Sequence, residues 1–348
     1  MIKKVKITKL WKRPIFEDVI DVRTPSEYAE DHIIGSVNYP VLYNEQRSLI
    51  GKTYKQVNPF KAKIIGSSII AKNIAIHIEK NFQNKSGSWK PLIYCWRGGQ
   101  RSRALALILQ EIGWQPYQLY GGYKKYRQDV MDLLNNLSPK LKLWSIGGKT
   151  GTAKTKILST LEKLGGQVLD LEQLANHKGS LLGKINNSPQ PSQKLFESLI
   201  LNKIQGFKLN KVIFIESESS KIGNLHIPKE LWKNMFNTKQ ILIEAPIQSR
   251  VNFLIRDYNY LINNDVIFEN LIKGLEKRIH KEIIDEWKKN IKSKNWKSLA
   301  HNLLNNHYDP AYTRSNKSKN NKIKKVFKIN DVNQKSIKYV AEELIKSV

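Results

Sequence analysis

The stretch Pro91–Ser102, PLIYCWRGGQRS, constrains the fold more than any other part of this 348-residue sequence. Its first four residues are apolar and predict a short buried strand. The following RALALILQEI (103–112) predicts a helix that ends at Gly113. Cys95, the only cysteine of the chain, therefore falls on a loop between a strand end and a helix N-terminus, where open α/β sheets place their ligand sites.

The composition of this loop suits a reactive thiol and an anion. Its glycine pair lets the backbone curl so that several N–H groups point inward, and these donors, with the helix dipole, would stabilise a thiolate. Arg101 offers a fork of donors for an oxyanion, and the C-x5-R spacing predicts a phosphate-sized loop. We assign Cys95 and Arg101 as candidate catalytic residues. The candidate anion-binding loop consists of Trp96, Arg97, Gly98, Gly99 and Gln100. The alternative is a lone buried cysteine at a strand end.

A second strand, loop and helix follow later in the chain. KLWSI (142–146) predicts a strand, and GKTGTAKT (148–155) fits the phosphate-loop pattern G-x-x-x-x-G-K-[ST] except that Ala153 replaces a glycine. Alanine is tolerable there if its φ is negative and strained otherwise. The candidate phosphate-binding residues are Gly148, Gly151, Thr152, Ala153, Lys154 and Thr155.

Apolar strands alternate with helices through most of the chain, which predicts an α/β fold with parallel sheets. The predicted strands are 18–22, 36–39, 91–94, 142–146, 166–171, 211–216 and 240–244. Helices are predicted for 68–82, 103–112 and 335–348, with another beginning near 190, and Thr24 with Pro25 predicts a helix start. Residues 135–141 (NNLSPKL) predict a linker, and 41–60 has no clear pattern.

Several further polar residues allow two interpretations. Asp21, Arg23 and His32 are interpreted as an ion pair and a loop histidine with structural roles. His177 would contact phosphate or cap a turn. Glu216 and Glu218 would support a metal ion or remain solvated.

Two later segments also allow two interpretations each. HYDP (307–310) is interpreted as a turn rather than a docking contact. Residues 271–300 predict basic amphipathic helices. Their Trp287 and Trp296 are core residues or, alternatively, platforms on which bases stack.

Charge and cysteine content restrict the class of protein. The net charge is +29, which predicts a polyanionic partner, with nucleic acid first. A general lysine bias of the genome is the alternative, but residues 271–330 hold sixteen Lys and Arg against five Asp and Glu.

A single cysteine excludes an internal disulfide. Neither a secretory signal nor a membrane-spanning run is recognisable, so we expect a cytoplasmic protein.

Several of these segments resemble a known family. DVR (21–23), the EYAEDHIIGSVNYP segment (27–40), YCWRGGQRS (94–102) and YGGYKKYR (120–127) resemble a rhodanese domain. The form CWRGGQRS resembles more narrowly the tRNA 2-selenouridine synthases, in which a rhodanese domain precedes a P-loop domain. LDLEQLANHKGSLLG, PSQKLFE, IESESSKIGNLHIP and LLNNHYDPAY resemble the same family, so the likeness extends from about Val19 to Tyr312.

The resemblance implies a rhodanese-like domain at 15–134 and a P-loop NTPase-like parallel-sheet domain at 142–348 with a basic helical extension. It implies a transferase that S-geranylates the wobble 2-thiouridine of tRNA with geranyl diphosphate and then replaces the group with selenium from selenophosphate, leaving 2-selenouridine. Cys95 would carry selenium as an S-selanyl adduct and Arg101 would hold the oxyanion.

The remaining expectations concern ligands and alternatives. The phosphate loop would take the geranyl diphosphate, although a nucleotide is not excluded. We expect no tightly bound cofactor and no dedicated metal site, with Mg²⁺ a candidate companion of the diphosphate. Two alternatives stay open. One is a sulfurtransferase or C-x5-R phosphatase fused to an NTPase, and the other is a non-catalytic RNA-binding protein.

Overall fold

The computed structural model describes residues 5–9, 11, 16–177, 189–217, 219–259, 268, 272–276, 279–316 and 323–348. Of the residues singled out above, Glu218 and the 178–183 part of the LDLEQLANHKGSLLG segment lie outside these ranges. The chain divides into two units. The first comprises Met1–Leu133 with Pro191–Asn202, and the second comprises Leu134–Gln190 with Lys203–Val348.

The first unit is built on a parallel five-stranded sheet. The strand order is β1-β5-β4-β2-β3. The strands are β1 Lys6–Thr8, β2 Asp18–Asp21, β3 Val37–Asn38, β4 Pro91–Tyr94 and β5 Tyr117–Leu119. The helices are α1 Pro25–Glu30, α2 Asn44–Gln56, α3 Pro59–His77, α4 Gln100–Ile112 and α5 Gly122–Leu137.

Local sequence explains where these elements start and stop. All four residues of β4 are buried, as expected for a central parallel strand. Helix α1 begins at a capping box in which Thr24 and Glu27 satisfy each other's backbone N–H groups, with Pro25 in the first turn. Helix α4 ends at Gly113, whose φ of 108° is the left-handed conformation that glycine adopts without a Cβ penalty.

The second unit has its own parallel five-stranded sheet, in the order β12-β11-β6-β8-β7. Its strands are β6 Lys142–Gly148, β7 Gln167–Leu169, β8 Val212–Glu216, β11 Lys239–Glu244 and β12 Ile323–Lys328, and β9 Lys221–Ile222 pairs with β10 Leu225–His226 as a short antiparallel ribbon. The α/β architecture with two parallel sheets is therefore confirmed.

Further helices follow along the chain. They are α6 Lys154–Lys163, α7 Leu171–Leu174, α8 Gln193–Gln205, α9 Lys229–Asn237, α10 Ile247–Asp257, α11 Lys281–Lys292, α12 Trp296–Leu303, α13 Asp309–Asn316 and α14 Gln334–Lys346. Most of α8 belongs to the first unit. A buried cluster including Ile146, Ile157, Phe214 and Val340 joins α6 and α14 to the sheet.

Three segments differ from the sequence-based expectations. Residues 41–60, which show no clear pattern, contain α2 and the start of α3. The predicted linker 135–141 instead ends α5 and then forms a 3₁₀ turn, Ser138–Lys140. Strand β12 was not predicted, because its lysine-rich sequence lies at a sheet edge where charged residues remain solvated.

The basic region of the second unit is helical, as predicted. Helix α11 buries Ile284, Trp287 and Asn290 on one face. Trp287 is fully buried and Trp296 stacks against Phe268 at 4.9 Å between ring centroids. Trp287 is thus a core residue and offers no platform for a base.

Among the residues that the structure describes, no helix has the length and apolarity needed to cross a membrane.

Candidate active site and phosphate loop

Cys95 occupies the first position after β4, at the carboxyl edge of the first sheet. Its side chain is buried, with the residue 3% exposed. The backbone N–H of Gly99 donates to Sγ at 3.2 Å, and the Oγ of Ser102 lies 3.2 Å from Sγ. The loop therefore curls around the sulfur and presents a backbone N–H donor to it.

The rest of the Cys95 loop lies between this sulfur and α4. Gly99 is the N-cap of α4, and Gln100 and Arg101 form its first turn. Trp96, Arg97 and Gln100 are exposed, and the Trp96 ring packs 5.3 Å from the ring of Tyr123. The predicted anion-binding loop thus surrounds one end of a helix, where N–H groups lack intrahelical partners.

Gln118 braces this loop and was not identified from the sequence. Its side-chain amide is 5% exposed and donates to the carbonyls of Gly98 at 2.9 Å and Gly99 at 3.1 Å, and to the Oγ of Ser102 at 2.8 Å. These bonds occupy the carbonyls of Gly98 and Gly99, while the N–H of Gly99 faces the sulfur. The sequence signal that could have identified Gln118 is a polar residue placed between two apolar residues in YQL (117–119).

Two glycines allow the backbone behind Cys95 to pack this closely. Gly98 has φ 65° and Gly122 has φ 58°. A Cβ on Gly122 would lie 2.3 Å from the carbonyl oxygen of Cys95 and 2.4 Å from the nitrogen of Gly98. The N–H of Tyr123 reaches that same carbonyl at 2.8 Å. The start of α5 is therefore part of the loop's support.

Arg101 forms an ion pair with Glu27 in this structure. Its two terminal nitrogens donate to the two carboxylate oxygens at 2.7 and 3.2 Å. Burial opposes ionisation of Glu27, but the hydrogen bond and charge of Arg101 hold the pKa of Glu27 below its ordinary value. The guanidinium fork is thus held beside the loop by a carboxylate of the protein itself.

The other charged residues near the N-terminal motif have structural roles, as the sequence indicated. Asp21 and Arg23 form a buried ion pair at 2.6 Å, and the guanidinium also donates to the carbonyl of Asp31 at 2.7 Å. His32 contacts the carbonyl of Tyr28 through Nδ1 at 2.8 Å. Burial raises the pKa of Asp31, even though its carboxylate accepts a bond from Tyr123 at 2.8 Å.

The phosphate loop runs from the end of β6, the central strand of the second sheet, to the start of α6. Lys154 is the first residue of α6, and its Nζ lies 3.1 Å from the carbonyl oxygen of Gly148 and 3.7 Å from the carboxylate of Glu216. Thr152 closes a turn by donating to the carbonyl of Lys149 at 2.8 Å. This arrangement places backbone N–H groups and an ammonium at one helix N-terminus.

Ala153 has a positive φ, which is the strained one of the two backbone conformations considered for it from the sequence. Its φ and ψ are 60° and 32°, the left-handed region, where a Cβ costs about 1–2 kcal/mol. The residue is 6% exposed and its methyl group belongs to the buried cluster that contains Ile157. Ala153 therefore packs with the core of the second unit and also lines the cavity beside the loop.

A cavity of about 700 Å³ opens beside this loop. Its lining includes Lys154, Thr155, Asp170, His177 and Glu216. Thr155 donates to Glu172 at 3.2 Å, and burial raises the pKa of Asp170. Among the residues described, no group of three His, Cys, Asp or Glu side chains is arranged to hold a metal ion.

Arg250 and Asp309 support the phosphate loop from outside its motif. The guanidinium of Arg250 is 3% exposed, donates to the carbonyl of Thr150 at 3.1 Å, and makes two bonds of 2.9 and 2.8 Å to Asp309. Lys149 also reaches Asp309, at 3.2 Å. HYDP is therefore not a turn: Asp309 starts α13 and pairs with Arg250. No sequence spacing signals this long-range contact.

A parallel sheet with a cysteine loop at its carboxyl edge, followed by a parallel sheet with a phosphate loop, defines a rhodanese-like domain joined to a P-loop domain. The sequence matches the rhodanese-like domain over residues 7–129 and the tRNA 2-selenouridine synthase AAA domain over residues 141–277.

Curated relatives agree with both matches. The chain is 32% identical over 251 residues to the tRNA 2-selenouridine synthase of Nitrosomonas europaea, covering 69% of this chain and 63% of the relative. It is 31% identical over 248 residues to the enzyme of that name from Hydrogenovibrio crunogenus, covering 69% and 67%, and 29% identical over 325 residues to that from Sulfurovum sp. NBC37-1, covering 84% and 87%. The chain belongs to the tRNA 2-selenouridine synthase family.

One solved structure is also similar in sequence over part of the chain. It is the N-terminal domain of a protein from Clostridium difficile 630, with 32% identity and a TM-score of 0.30, and the match covers 37% of this chain and 92% of that domain.

We predict that Gly122→Ala lowers the free energy of unfolding by about 3 kcal/mol or more, because the new methyl group would overlap backbone atoms of the Cys95 loop. Gly35→Ala is the matched control: its φ is also positive, at 83°, but a Cβ there meets nothing within 4 Å. The control should cost only about 1 kcal/mol. Chemical denaturation of both variants measures the difference, and equal losses would contradict the close packing.

At Ala153, two opposed effects should nearly cancel on substitution by glycine. Relief of the left-handed strain is offset by the lost methyl packing and by a more flexible unfolded chain, so Ala153→Gly should stay within about 1 kcal/mol of the parent. Ala153→Val should lose about 2 kcal/mol or more, because a β-branched residue resists positive φ. Denaturation curves test this, and a stable Ala153→Val protein would be inconsistent with the left-handed conformation.

Proposed function

We propose that this chain is a tRNA-modifying transferase that converts the wobble 2-thiouridine to 2-selenouridine through an S-geranyl intermediate. The observation that carries the proposal is the pair of loops at helix N-termini, one around Cys95 and one at Lys154, in a member of the tRNA 2-selenouridine synthase family. Two loops of this kind suit two phosphorylated donors, geranyl diphosphate and selenophosphate.

In the first step, the sulfur of 2-thiouridine attacks the geranyl carbon that bears the diphosphate. The carbon–sulfur bond forms, the carbon–oxygen bond breaks, diphosphate leaves, and the base loses its N3 proton to solvent. The phosphate loop is proposed to hold the diphosphate, with Lys154 beside the developing charge and backbone N–H groups of the loop as donors. Oxygen groups of Thr155 and Glu216 are of the kind that Mg²⁺ prefers, if it accompanies the diphosphate.

In the second step, selenium replaces the alkylated sulfur. Alkylation makes C2 of the base more electrophilic and turns the sulfur into a thiol leaving group, so a carbon–selenium bond forms as the carbon–sulfur bond breaks. Selenium in selenophosphate is at the selenide level, so it attacks C2 as geranylthiol leaves, and water then takes the phosphoryl group from selenium and phosphate is released. The loop donors with Arg101 are proposed to bind the selenophosphate oxygens, with the Cys95 thiol beside the selenium. Glu27 holds the Arg101 guanidinium beside the loop through both terminal nitrogens, so selenophosphate would use the remaining N–H donors of that group.

The proposed macromolecular substrate is tRNA, bound through the anticodon arm in the cytoplasm. The outer faces of α11 and α12 and the turn between them carry exposed lysines: Lys281, Lys288, Lys289, Lys292, Lys294 and Lys297. Lysines in such a set can neutralise phosphates and release counterions. Binding that weakens steeply with added salt is the expected sign.

Cys95→Ser should abolish selenium incorporation and leave S-geranylation close to the parent level, because alkylation of the base sulfur needs no nucleophile from the enzyme. Mass spectrometry of wobble nucleosides after incubation with tRNA and both donors measures the two products separately. Normal 2-selenouridine formation by Cys95→Ser would overturn the role of this cysteine. ATP hydrolysis without any tRNA product from the parent would favour an NTPase fused to a sulfurtransferase instead.

Lys154→Ala should abolish S-geranylation and weaken binding of geranyl diphosphate by about 2 kcal/mol or more, because a charge-assisted contact is lost. Calorimetric titration of geranyl diphosphate measures the change. Lys163→Ala, an exposed lysine of the same helix, is the matched control and should bind like the parent. Unchanged affinity in Lys154→Ala would place the diphosphate elsewhere.

A further inference from the structure

A cleft of about 790 Å³ opens beside Cys95 within the first unit. Its walls come from α2, α3 and α4 and from the Cys95 loop. The volume is in the range of small-molecule sites. Selenophosphate alone would need only the loop, so the cleft is not explained by the anion site that it adjoins.

The walls of the cleft are mainly apolar. Ile50 from α2, Ile70 and Ile74 from α3, and Ala104 and Ile108 from α4 line it. Ile108 is 36% exposed and Ile70 is half-buried, so this apolar surface faces the solvent-filled space. A ligand that covered it would remove apolar area from water, which favours binding.

Cations lie among the residues that line the same cleft. Arg47, Lys63 and Arg97 are exposed lining residues, and Arg101 is held there by Glu27. One site thus combines an apolar wall with positive charge. This combination complements a ligand that has an apolar chain on one part and phosphates on the other.

We propose that this cleft binds the geranyl chain of S-geranyl-2-thiouridine while selenium replaces the sulfur. The inference rests on the proposed function and adds a location for the chain. The carbon–sulfur bond that breaks must lie within reach of the selenium donor at the Cys95 loop. The geranyl chain attached to that sulfur must then lie beside the Cys95 loop. The apolar cleft adjoins this loop, because Cys95 is one of its lining residues.

Two other cavities lined by described residues suit the geranyl chain less well. The phosphate-loop cavity is the proposed site of the diphosphate in the first step, and its lining includes no residue of the Cys95 loop, where the second step is proposed to occur. A cavity of about 750 Å³ that shares Trp96 and Arg97 with the cleft is lined by Lys124, Lys125, Arg127 and Lys194, which suits phosphates of a nucleic acid. The cleft is therefore the better match for a ten-carbon chain.

Ala71→Trp tests the location by filling the cleft. Ala71 is an exposed lining residue of α3, whereas Ala75, one turn further along the same helix, is exposed and does not line the cleft. Ala75→Trp is thus the matched control. Ser67→Trp with its control Ser68→Trp is a second pair on α3, used if Ala71→Trp does not fold.

The activity measurement compares two tRNA substrates, one carrying S-geranyl-2-thiouridine and one carrying S-methyl-2-thiouridine, with selenophosphate as donor. The parent should prefer the geranyl substrate. Ala71→Trp should lower kcat/KM for the geranyl substrate at least tenfold and leave the methyl substrate within twofold, because a methyl group does not need the cleft. Ala75→Trp should retain the preference of the parent.

A binding measurement separates the two proposals. The nucleoside S-geranyl-2-thiouridine is titrated calorimetrically against the parent and both variants, and at least tenfold weaker binding is expected only in Ala71→Trp. If the parent converts tRNA but Ala71→Trp keeps the geranyl preference and the nucleoside affinity, the cleft proposal is overturned and the proposed function stands. If the parent forms no 2-selenouridine from either substrate, the proposed function fails, and the cleft proposal fails with it.

Discussion

Close packing of backbone against backbone at Gly122 is the contact on which the Cys95 loop depends. The first N–H groups of α5 bind the carbonyls of Cys95 and Trp96, at 2.8 and 2.9 Å. Gln118 binds two more carbonyls from the neighbouring strand. With its carbonyls occupied behind it, the loop turns an N–H group toward the sulfur. A glycine is required because any Cβ would displace the carbonyl of Cys95.

The backbone of the phosphate loop is held by different contacts. Here side chains distant in sequence hold the backbone: Arg250 binds the carbonyl of Thr150 and is itself held by Asp309. The strain at Ala153 is compensated by burial of its methyl group beside Ile157. Both loops thus have backbones fixed from outside the segment that would contact a ligand.

The sequence predicted the elements whose signals are local. Pro91–Tyr94 and Val212–Glu216 are buried apolar strands, and Thr24 with Pro25 marks a helix start, so each could be identified from a few adjacent residues. The composition of the Cys95 loop indicated its place between strand and helix. Which oxyanion it binds, and what the phosphate loop holds, remain predictions.

Long-range contacts could not be predicted in this way. The pairing of Arg101 with Glu27 joins residues 74 positions apart, and that of Arg250 with Asp309 joins residues 59 apart. Neither has a spacing rule, because it depends on how separate elements pack. Strand β12 was missed because its lysines conceal the apolar positions, and α2 was missed because few of its residues are buried. The φ of Ala153 depends on the fold around it and not on its own side chain.

The carboxylates beside Arg101 and Lys154 also bear on the proposed binding of anions at the two loops. Each cation already has a partner in the protein, Glu27 at 2.7 Å and Glu216 at 3.7 Å. An entering anion therefore gains only the difference between its own attraction and that of the resident carboxylate. A singly charged ion such as chloride or acetate gains little from this exchange, whereas a doubly or triply charged phosphate gains more. Any anion that binds beside Arg101 or Lys154 must therefore compete with a carboxylate that already pairs with the cation.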